Sequence, residues 1–214
     1  MKAVLWDLDG VLIDSEPGYN ITVGELIRSL GYKFGEAEIA KTTGASYKNI
    51  AELLGLDEPK EKIERLYIEA LLKAINQNVT ALIDGAGGFL QELKSRKIKM
   101  AIGSSSPRVL VEQIVNKFGL SEFIDIIVTG SDAERGKPAP DIYLKCAELL
   151  GVEPANCLVI EDSLNGIKAA KNAAMRVLAF TGTALHNFDL SAADFQIDAY
   201  NSDTFKVIEH LLSL

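Results

Sequence analysis

Short apolar runs recur along the chain at residues 2–8, 99–103, 124–129, 157–161 and 176–180. Each is followed by turn or capping residues and then by apolar positions at helical spacing. A run of this length without polar alternation predicts a strand buried on both faces. Strands alternating with helices predict a parallel sheet covered on both sides, so the expected fold class is an open parallel-sheet α/β core.

Residues 15–81 break that rhythm. They contain no strand-like run, and apolar positions at residues 21–30, 50–54 and 60–75 repeat as on amphipathic helices, punctuated by Gly31, Gly44 and Gly55. The expected organisation is a Rossmann-like core made of residues 1–14 and 82–214, with an all-helical insert at residues 15–81. The glycines at 85, 87 and 88 mark the return to the core and serve either as a hinge or as a tight turn before a helix. No internal repeat or low-complexity segment is visible.

Composition changes this picture little. The chain has 214 residues, enough to bury a substantial core, with 48% hydrophobic and 24% charged positions. The net charge of −8 gives no general attraction to nucleic acid or to an anionic membrane, so neither is expected as a partner, and any phosphate site must be locally positive. Cys146 and Cys157 sit in apolar stretches without metal-type spacing and read as reduced core residues, which suits a cytoplasmic protein. The N-terminus enters a strand directly, with no leader-like segment, and no apolar run approaches membrane-spanning length. A monomer is expected.

Ligands of open parallel sheets bind at the carboxyl ends of the strands. The first strand ends in Asp7 and Asp9, the second in Ser104, and the fourth in Glu161 and Asp162, while Lys137 lies between the third strand and its helix. Asp7 and Asp9 are two apart in extended chain, so both carboxylates face the same way. So dense an acidic site calls for a cation, and oxygen-only ligands select a hard one, for which Mg²⁺ beside phosphate is the natural choice. One carboxylate is then free to attack phosphorus while the other carries the proton. Ser104 at its strand end is a phosphate-ligand candidate, whereas Ser106 fits a helix N-cap with Pro107 at the first helical position. Lys137 lies in a proline-stiffened loop, where a fixed ammonium balances a phosphoryl group. Taken singly, each feature has a plainer interpretation: a strand end with a turn, helix-capping serines, a solvated loop lysine, or an acid or Ser163 capping the next helix.

Jointly, Asp7-Leu-Asp9-Gly-Val-Leu-Ile-Asp14-Ser-Glu, Ser104, Gly136-Lys137-Pro-Ala-Pro and Ile160-Glu161-Asp162-Ser163 resemble the haloacid dehalogenase superfamily, whose four motifs they match in order and separation. The helical insert resembles that superfamily's C1 cap, and the whole chain is similar to its β-phosphoglucomutase and phosphoglycolate phosphatase branch. The resemblance implies that Asp7 is the nucleophile and a metal ligand. It implies that Asp9 is the general acid/base and binds metal through its backbone carbonyl. Ser104 and Lys137 would hold the phosphoryl group, Asp162 would bind Mg²⁺, with Glu161 joining directly or through water, and Gly10 would let the chain pass close to the site. The implied activity is a Mg²⁺-dependent phosphatase that hydrolyses a small phosphorylated metabolite, a sugar phosphate or one like phosphoglycolate, through an aspartyl-phosphate.

Relatives that displace halide or cleave phosphonates lack an acid at the position of Asp9, and a leaving alkoxide needs the proton that Asp9 supplies. A phosphomutase is the enzymatic alternative. Its cap carries a histidine and an arginine where Tyr19 and Tyr47 stand here; neither tyrosine offers a fixed positive charge, which disfavours a mutase, and Lys48, a candidate substitute for that charge, reads more simply as an exposed helix lysine. A receiver-type phospho-aspartate signalling module is the alternative from another class, disfavoured by the insert and by the acid two residues from Asp7. A catalytically idle member used for interactions is disfavoured by the intact motifs. Tyr19, Thr43, Ser46 and Tyr47 are candidates to line the cap side of the substrate pocket. Trp6, His186 and His210 read as structural or surface residues.

Overall fold

The computed structural model describes residues 2–42, 49–183 and 189–212. Six parallel strands form one sheet in the order β3-β2-β1-β4-β5-β6. They are β1 (Ala3–Trp6), β2 (Lys99–Ser104), β3 (Ile126–Thr129), β4 (Cys157–Glu161), β5 (Arg176–Phe180) and β6 (Phe195–Ile197). The two central strands are buried throughout, as expected of runs covered on both faces. Alternate residues feed two cores. Val4, Trp6, Ile102, Ile160 and Phe180 point to one side, and Leu5, Ala101, Val159 and Ala179 to the other. Helices α5 (Ala86–Ser95), α6 (Arg108–Lys117) and α9 (Ser202–Leu212) cover the first face; α7 (Asp141–Leu150) and α8 (Leu164–Asn172) cover the second.

β1 lies between β2 and β4, with Trp6 in register with Ile102 and Ile160. The next residue, Asp7, donates its amide to the Ile160 carbonyl at 2.9 Å. The chain ends leaving β1, β2 and β4 therefore open onto the same edge, which is what places the site. β6 lies outside the expected strands, since Phe195 and Gln196 are exposed and form no apolar run.

Between β1 and α5 the described residues hold only helices: α1 (Glu16–Ser29), α2 (Glu36–Thr42), α3 (Ile50–Leu54) and α4 (Lys60–Gln77). Apolar residues of α1 and α4 join the first core, so the insert is packed onto the sheet layer. The far end of α4 is held by α6. Gln113 donates to the Leu72 carbonyl at 3.3 Å and to Asn76 Oδ1 at 2.8 Å, and Lys117 Nζ donates to the Ile75 carbonyl at 2.5 Å. A lysine on the last carbonyls of a helix also complements its dipole.

The glycines of the return connection are not a free hinge. Gly85 has φ +81°, and a Cβ there would lie 2.2 Å from the Tyr200 carbonyl oxygen, so this position needs glycine for close approach as well as for its turn. Gly87 and Gly88 lie within α5. The return is also tied to the exit, since the Ile83 amide donates to the Leu12 carbonyl at 2.9 Å.

Candidate active site

Asp7, Asp9, Ser104, Lys137, Glu161 and Asp162 all lie at the edge formed by the carboxyl ends of β1, β2 and β4 and the loop before α7. Asp7 and Ser104 are buried, at 8% and 1% exposure. Lys137 Nζ donates to Asp7 Oδ1 and, at 2.6 Å, to Glu161 Oε1. The loop that carries it is tied down on either side of the lysine: the Ala139 amide donates to the Gly136 carbonyl at 3.0 Å, and Asn172 Nδ2 donates to the Pro138 carbonyl at 2.9 Å.

Glu161 is fully buried. Its Oε1 also accepts from the Tyr143 hydroxyl at 3.0 Å, and its Oε2 accepts from the Ser163 amide at 2.9 Å and the Ser163 hydroxyl at 3.0 Å. Ser163 Oγ in turn accepts from the Gly166 amide at 3.0 Å, so this serine is the N-cap of α8. Four donors fill the four lone-pair positions of the Glu161 carboxylate. The expected ligation of a metal by Glu161, directly or through water, is therefore not what the geometry provides: its oxygens are spent on Lys137, Tyr143 and Ser163.

Asp162 points the other way. A Cβ on Gly10 would lie 1.9 Å from Asp162 Oδ2, so the β1 loop, with Gly10 at φ +77°, passes directly against this carboxylate. The loop is fixed by Thr183, whose hydroxyl donates to the Gly10 carbonyl at 2.6 Å, and by Tyr200, whose hydroxyl donates to the Val11 carbonyl at 2.9 Å.

Asp9 accepts from the Ser15 hydroxyl at 2.6 Å on one oxygen and from the Ser106 hydroxyl at 2.7 Å on the other. Ser106 is thus not the helix cap that its sequence context suggested. α6 begins after Pro107 without a side-chain cap, and α1 likewise begins at Ser15 without one. Both hydroxyls are given to Asp9 instead, and Ser15, which stands at the N-cap of α1, thereby forgoes a cap worth about 1 kcal/mol. Ser104 Oγ accepts from the Ser106 amide at 3.0 Å.

Burial pushes Asp7 up to about 7 against the pull of Lys137, with Glu161 and Asp9 adding repulsion. Burial likewise raises Asp162, reinforced by Glu161 and Asp7. Burial also opposes ionisation of Glu161, but the Lys137 charge and its hydrogen bonds leave it below the usual carboxylate range. Lys137 is raised despite burial, because Asp7 and Glu161 hold its proton.

Among the described residues, no three acidic, cysteine or histidine side chains converge as a ready-made metal cluster. Mg²⁺ does not require one, since it commonly takes one or two carboxylates and completes its shell with waters and phosphate oxygens. The donor set at Asp7 and Asp162 is all oxygen, and both carboxyls are raised by burial and by neighbouring acids, which is the condition a hard dication relieves. These residues fit the ion.

On the insert side, the buried Tyr19 hydroxyl faces Asp9 and Ser15 without completing a hydrogen bond to either. Burial and the Asp9 charge raise its pKa well above the ordinary phenol value. Tyr67 of α4 approaches the same carboxylate and is pushed up to about 12 by burial and by Asp9. Thr43, Ser46 and Tyr47 lie outside the described residues. Ser15, Ser106, Tyr67 and Tyr143 were not singled out as site residues from the sequence. Ser15 lies inside the first motif and Ser106 two residues from Ser104, which is the available signal, whereas Tyr143 reads simply as an apolar position of α7.

The family model for haloacid dehalogenase-like hydrolases matches residues 4–180. Hexitol phosphatase B of Escherichia coli (strain K12) is 29% identical over 192 residues, covering 86% of each chain. A phosphorylated carbohydrates phosphatase of Thermotoga maritima is 30% identical over 177 residues, covering 81% of this chain and 82% of that one. The crystal structure of CbbY from Rhodobacter sphaeroides in complex with phosphate superposes with a TM-score of 0.85 at 26% identity, covering 94% of this chain and 96% of that one. With the motif residues gathered at one sheet edge and the match running across most of the chain, the protein belongs to the haloacid dehalogenase-like hydrolase family and is an enzyme of its phosphatase kind.

Proposed function

We propose that the enzyme is a Mg²⁺-dependent phosphatase that hydrolyses a small phosphorylated metabolite, a sugar phosphate or one like phosphoglycolate, through an aspartyl-phosphate on Asp7. The observation that carries this is a lysine with a buried side chain held against Asp7 at the strand edge, the edge that also carries the buried Ser104. An ammonium with three donors spends two on Asp7 and Glu161 and keeps one for a phosphoryl oxygen. Ser104 accepts from Ser106 and keeps its own proton for a second oxygen.

Asp7 attacks phosphorus with the oxygen that Lys137 does not hold. The ester bond to the leaving oxygen breaks, and that oxygen takes a proton from Asp9. Water then attacks the phosphorus of the Asp7 acyl phosphate, giving its proton to Asp9, and the P–O bond to Asp7 breaks, freeing the Asp7 carboxylate and inorganic phosphate. Asp9 must exchange at least one of its serine donors for the substrate's leaving oxygen, and Ser15 belongs to the insert, so movement of the insert is the natural release. Mg²⁺, when held by Asp7, Asp162 and the Asp9 backbone carbonyl, supplies positive charge that offsets the carboxylates and the phosphoryl group. Residues 15–81 act as a cap over this edge, with Tyr19 on the leaving-group side. The protein works as a cytoplasmic monomer.

The test is a panel of phosphomonoesters with released phosphate as the readout. Turnover of sugar phosphates or phosphoglycolate in Mg²⁺, lost in excess chelator and not restored by Ca²⁺, is expected. Interconversion of phosphate isomers without phosphate release would replace this function with a mutase. Durable phosphorylation without turnover would replace it with a receiver-like module.

A further inference from the structure

Tyr143 is fully buried on the first turn of α7, six residues after Lys137. It meets the lysine in two ways. Its hydroxyl donates to Glu161 Oε1, the same oxygen that accepts from Lys137, and its ring lies under the ammonium, with Nζ 4.7 Å from the centroid. The surroundings leave this ring little freedom: a Cβ on Gly103 of β2 would lie 3.0 Å from Tyr143 Cε1, so the bare β2 backbone forms one wall of its slot. On the opposite side of Glu161, a Cβ on Gly166 would lie 1.6 Å from Oε1, so α8 leaves just the space the carboxylate fills.

The consequence is a competition for one oxygen. Were Glu161 Oε1 free of the tyrosine proton, its full charge would draw Lys137 towards the protein interior and away from Asp7. The Tyr143 hydroxyl takes part of that acceptor capacity, and the ring gives the ammonium a second attraction at a fixed height. Lys137 is thereby held between Asp7 and Glu161 with one N–H still directed to the strand edge.

We propose that Tyr143 is a positioning residue for phosphoryl binding, which sets how far Lys137 is shared with Glu161 and hence how much of its charge reaches the phosphoryl oxygens. This deepens the proposed function and rests on it, because it takes Lys137 as the phosphoryl ligand. Tyr143 does not touch the reacting atoms. The ring also predicts an asymmetry: losing only the hydroxyl shifts the lysine inward, while losing the ring as well also removes its floor.

The test is Tyr143→Phe, which keeps the ring and removes the proton donor. Three quantities are read in the intact enzyme with Mg²⁺: the inhibition constant for inorganic phosphate, the separate changes in KM and kcat, and the ¹⁵N resonance of the Lys137 ammonium, assigned by its loss in Lys137→Arg. The expected result is a rise of about tenfold in both the phosphate inhibition constant and KM, similar for all esters, with a smaller change in kcat and a displaced Lys137 resonance. A lower melting temperature with unchanged phosphate inhibition and an unmoved Lys137 signal would show a merely structural tyrosine and overturn the proposal. The resonance separates this inference from the wider one. If the wild-type protein hydrolyses no phosphomonoester, the phosphatase function falls, and an unmoved Lys137 signal in Tyr143→Phe still overturns the positioning role while a displaced one still supports it.

Discussion

On the sheet side of the site every oxygen of Glu161 has its partners, and Lys137 is fixed between two carboxylates; on the insert side the Tyr19 hydroxyl is buried with no partner, and Asp9 is held by two serines that must in part let go. A satisfied buried network is rigid, and a half-satisfied one is where structure changes cheaply. The difference matches what a phosphomonoester presents. Its phosphoryl group is the same in every substrate, so the face that holds it gains from rigidity. The leaving group varies, so the face that meets it gains from unspent hydrogen-bonding capacity.

The comparison is broken most severely at the nucleophile. Asp7→Asn keeps Lys137 paired with Glu161 and should fold, while kcat falls by about four orders of magnitude or more, because uncatalysed monoester hydrolysis is so slow. Steady-state assay of the purified variant, with circular dichroism to show folding, checks this; appreciable residual turnover would remove Asp7 from the covalent role.

Next in size is Glu161→Gln. All four partners of this carboxylate are donors, so an amide places its own NH₂ against donors whichever way it turns. Stability should drop by about 3 kcal/mol, with Lys137 still partly compensated by Asp7, and kcat/KM should fall about a hundredfold. Urea denaturation and kinetics on one ester measure both. A variant of wild-type stability would show that the sheet side is less rigid than its hydrogen bonds imply.

A smaller effect is expected on the insert side. Tyr19→Phe removes a hydroxyl that has no partner, so stability should change by about 0.5 kcal/mol or less, or even rise. The ratio of kcat/KM between two esters with different leaving groups should shift about threefold to tenfold, while the phosphate inhibition constant stays put. An equal loss for every ester would place Tyr19 with the phosphoryl machinery instead.

The smallest effect on turnover lies outside both regions and calibrates them through stability alone. Asp132, beyond the end of β3, accepts from the Thr129 amide at 2.7 Å, the Thr129 hydroxyl at 2.8 Å and Arg108 at 2.6 Å. Burial opposes its ionisation, but these bonds and the Arg108 charge lower its pKa below the ordinary 3.8. A group depressed in the folded state stabilises fully above its unfolded value and loses that contribution as pH falls through its folded one. Asp132→Asn should therefore cost about 1 kcal/mol at pH 7, after solvent screening, and the gap to wild type should close below about pH 4. Thermal melts across that range check the sign.

Legibility in the chain alone divides along the same line. The central strands were legible because burial on both faces leaves an unbroken apolar run, as in β1 and β4. β6 was not, because an edge strand with exposed Phe195 and Gln196 has no such signature. Asp7, Asp9, Ser104, Glu161 and Asp162 were legible from their places at or just beyond strand ends, and Lys137 from its proline-stiffened loop before α7. The sense in which Glu161 faces was not, because adjacent residues at a strand end point to opposite sides and the motif does not say which carboxylate turns inward. Tyr143 stayed hidden since a buried aromatic on an amphipathic helix needs no further explanation until its hydroxyl is seen on Glu161. The insert was legible as helices and little more: Ser15 sits at a helix start, and only the three-dimensional arrangement shows its hydroxyl on Asp9 instead of on the helix it precedes.

If the insert moves as proposed, the bonds from Gln113 and Lys117 to the last turns of α4 make that end of the helix its pivot. At 1.5 Å per residue its arm is about 27 Å long, so a rotation of about 20° about the fixed end carries the opposite end some 9 Å while residues near the pivot barely move. Displacement then grows along α4 with distance from the pivot. It is least where α4 meets the core and greatest towards α3, which packs beside it. Tyr67 sits near the middle of that arm and would move by roughly half as much, about 5 Å, enough to carry a phenol out of reach of Asp9 and back.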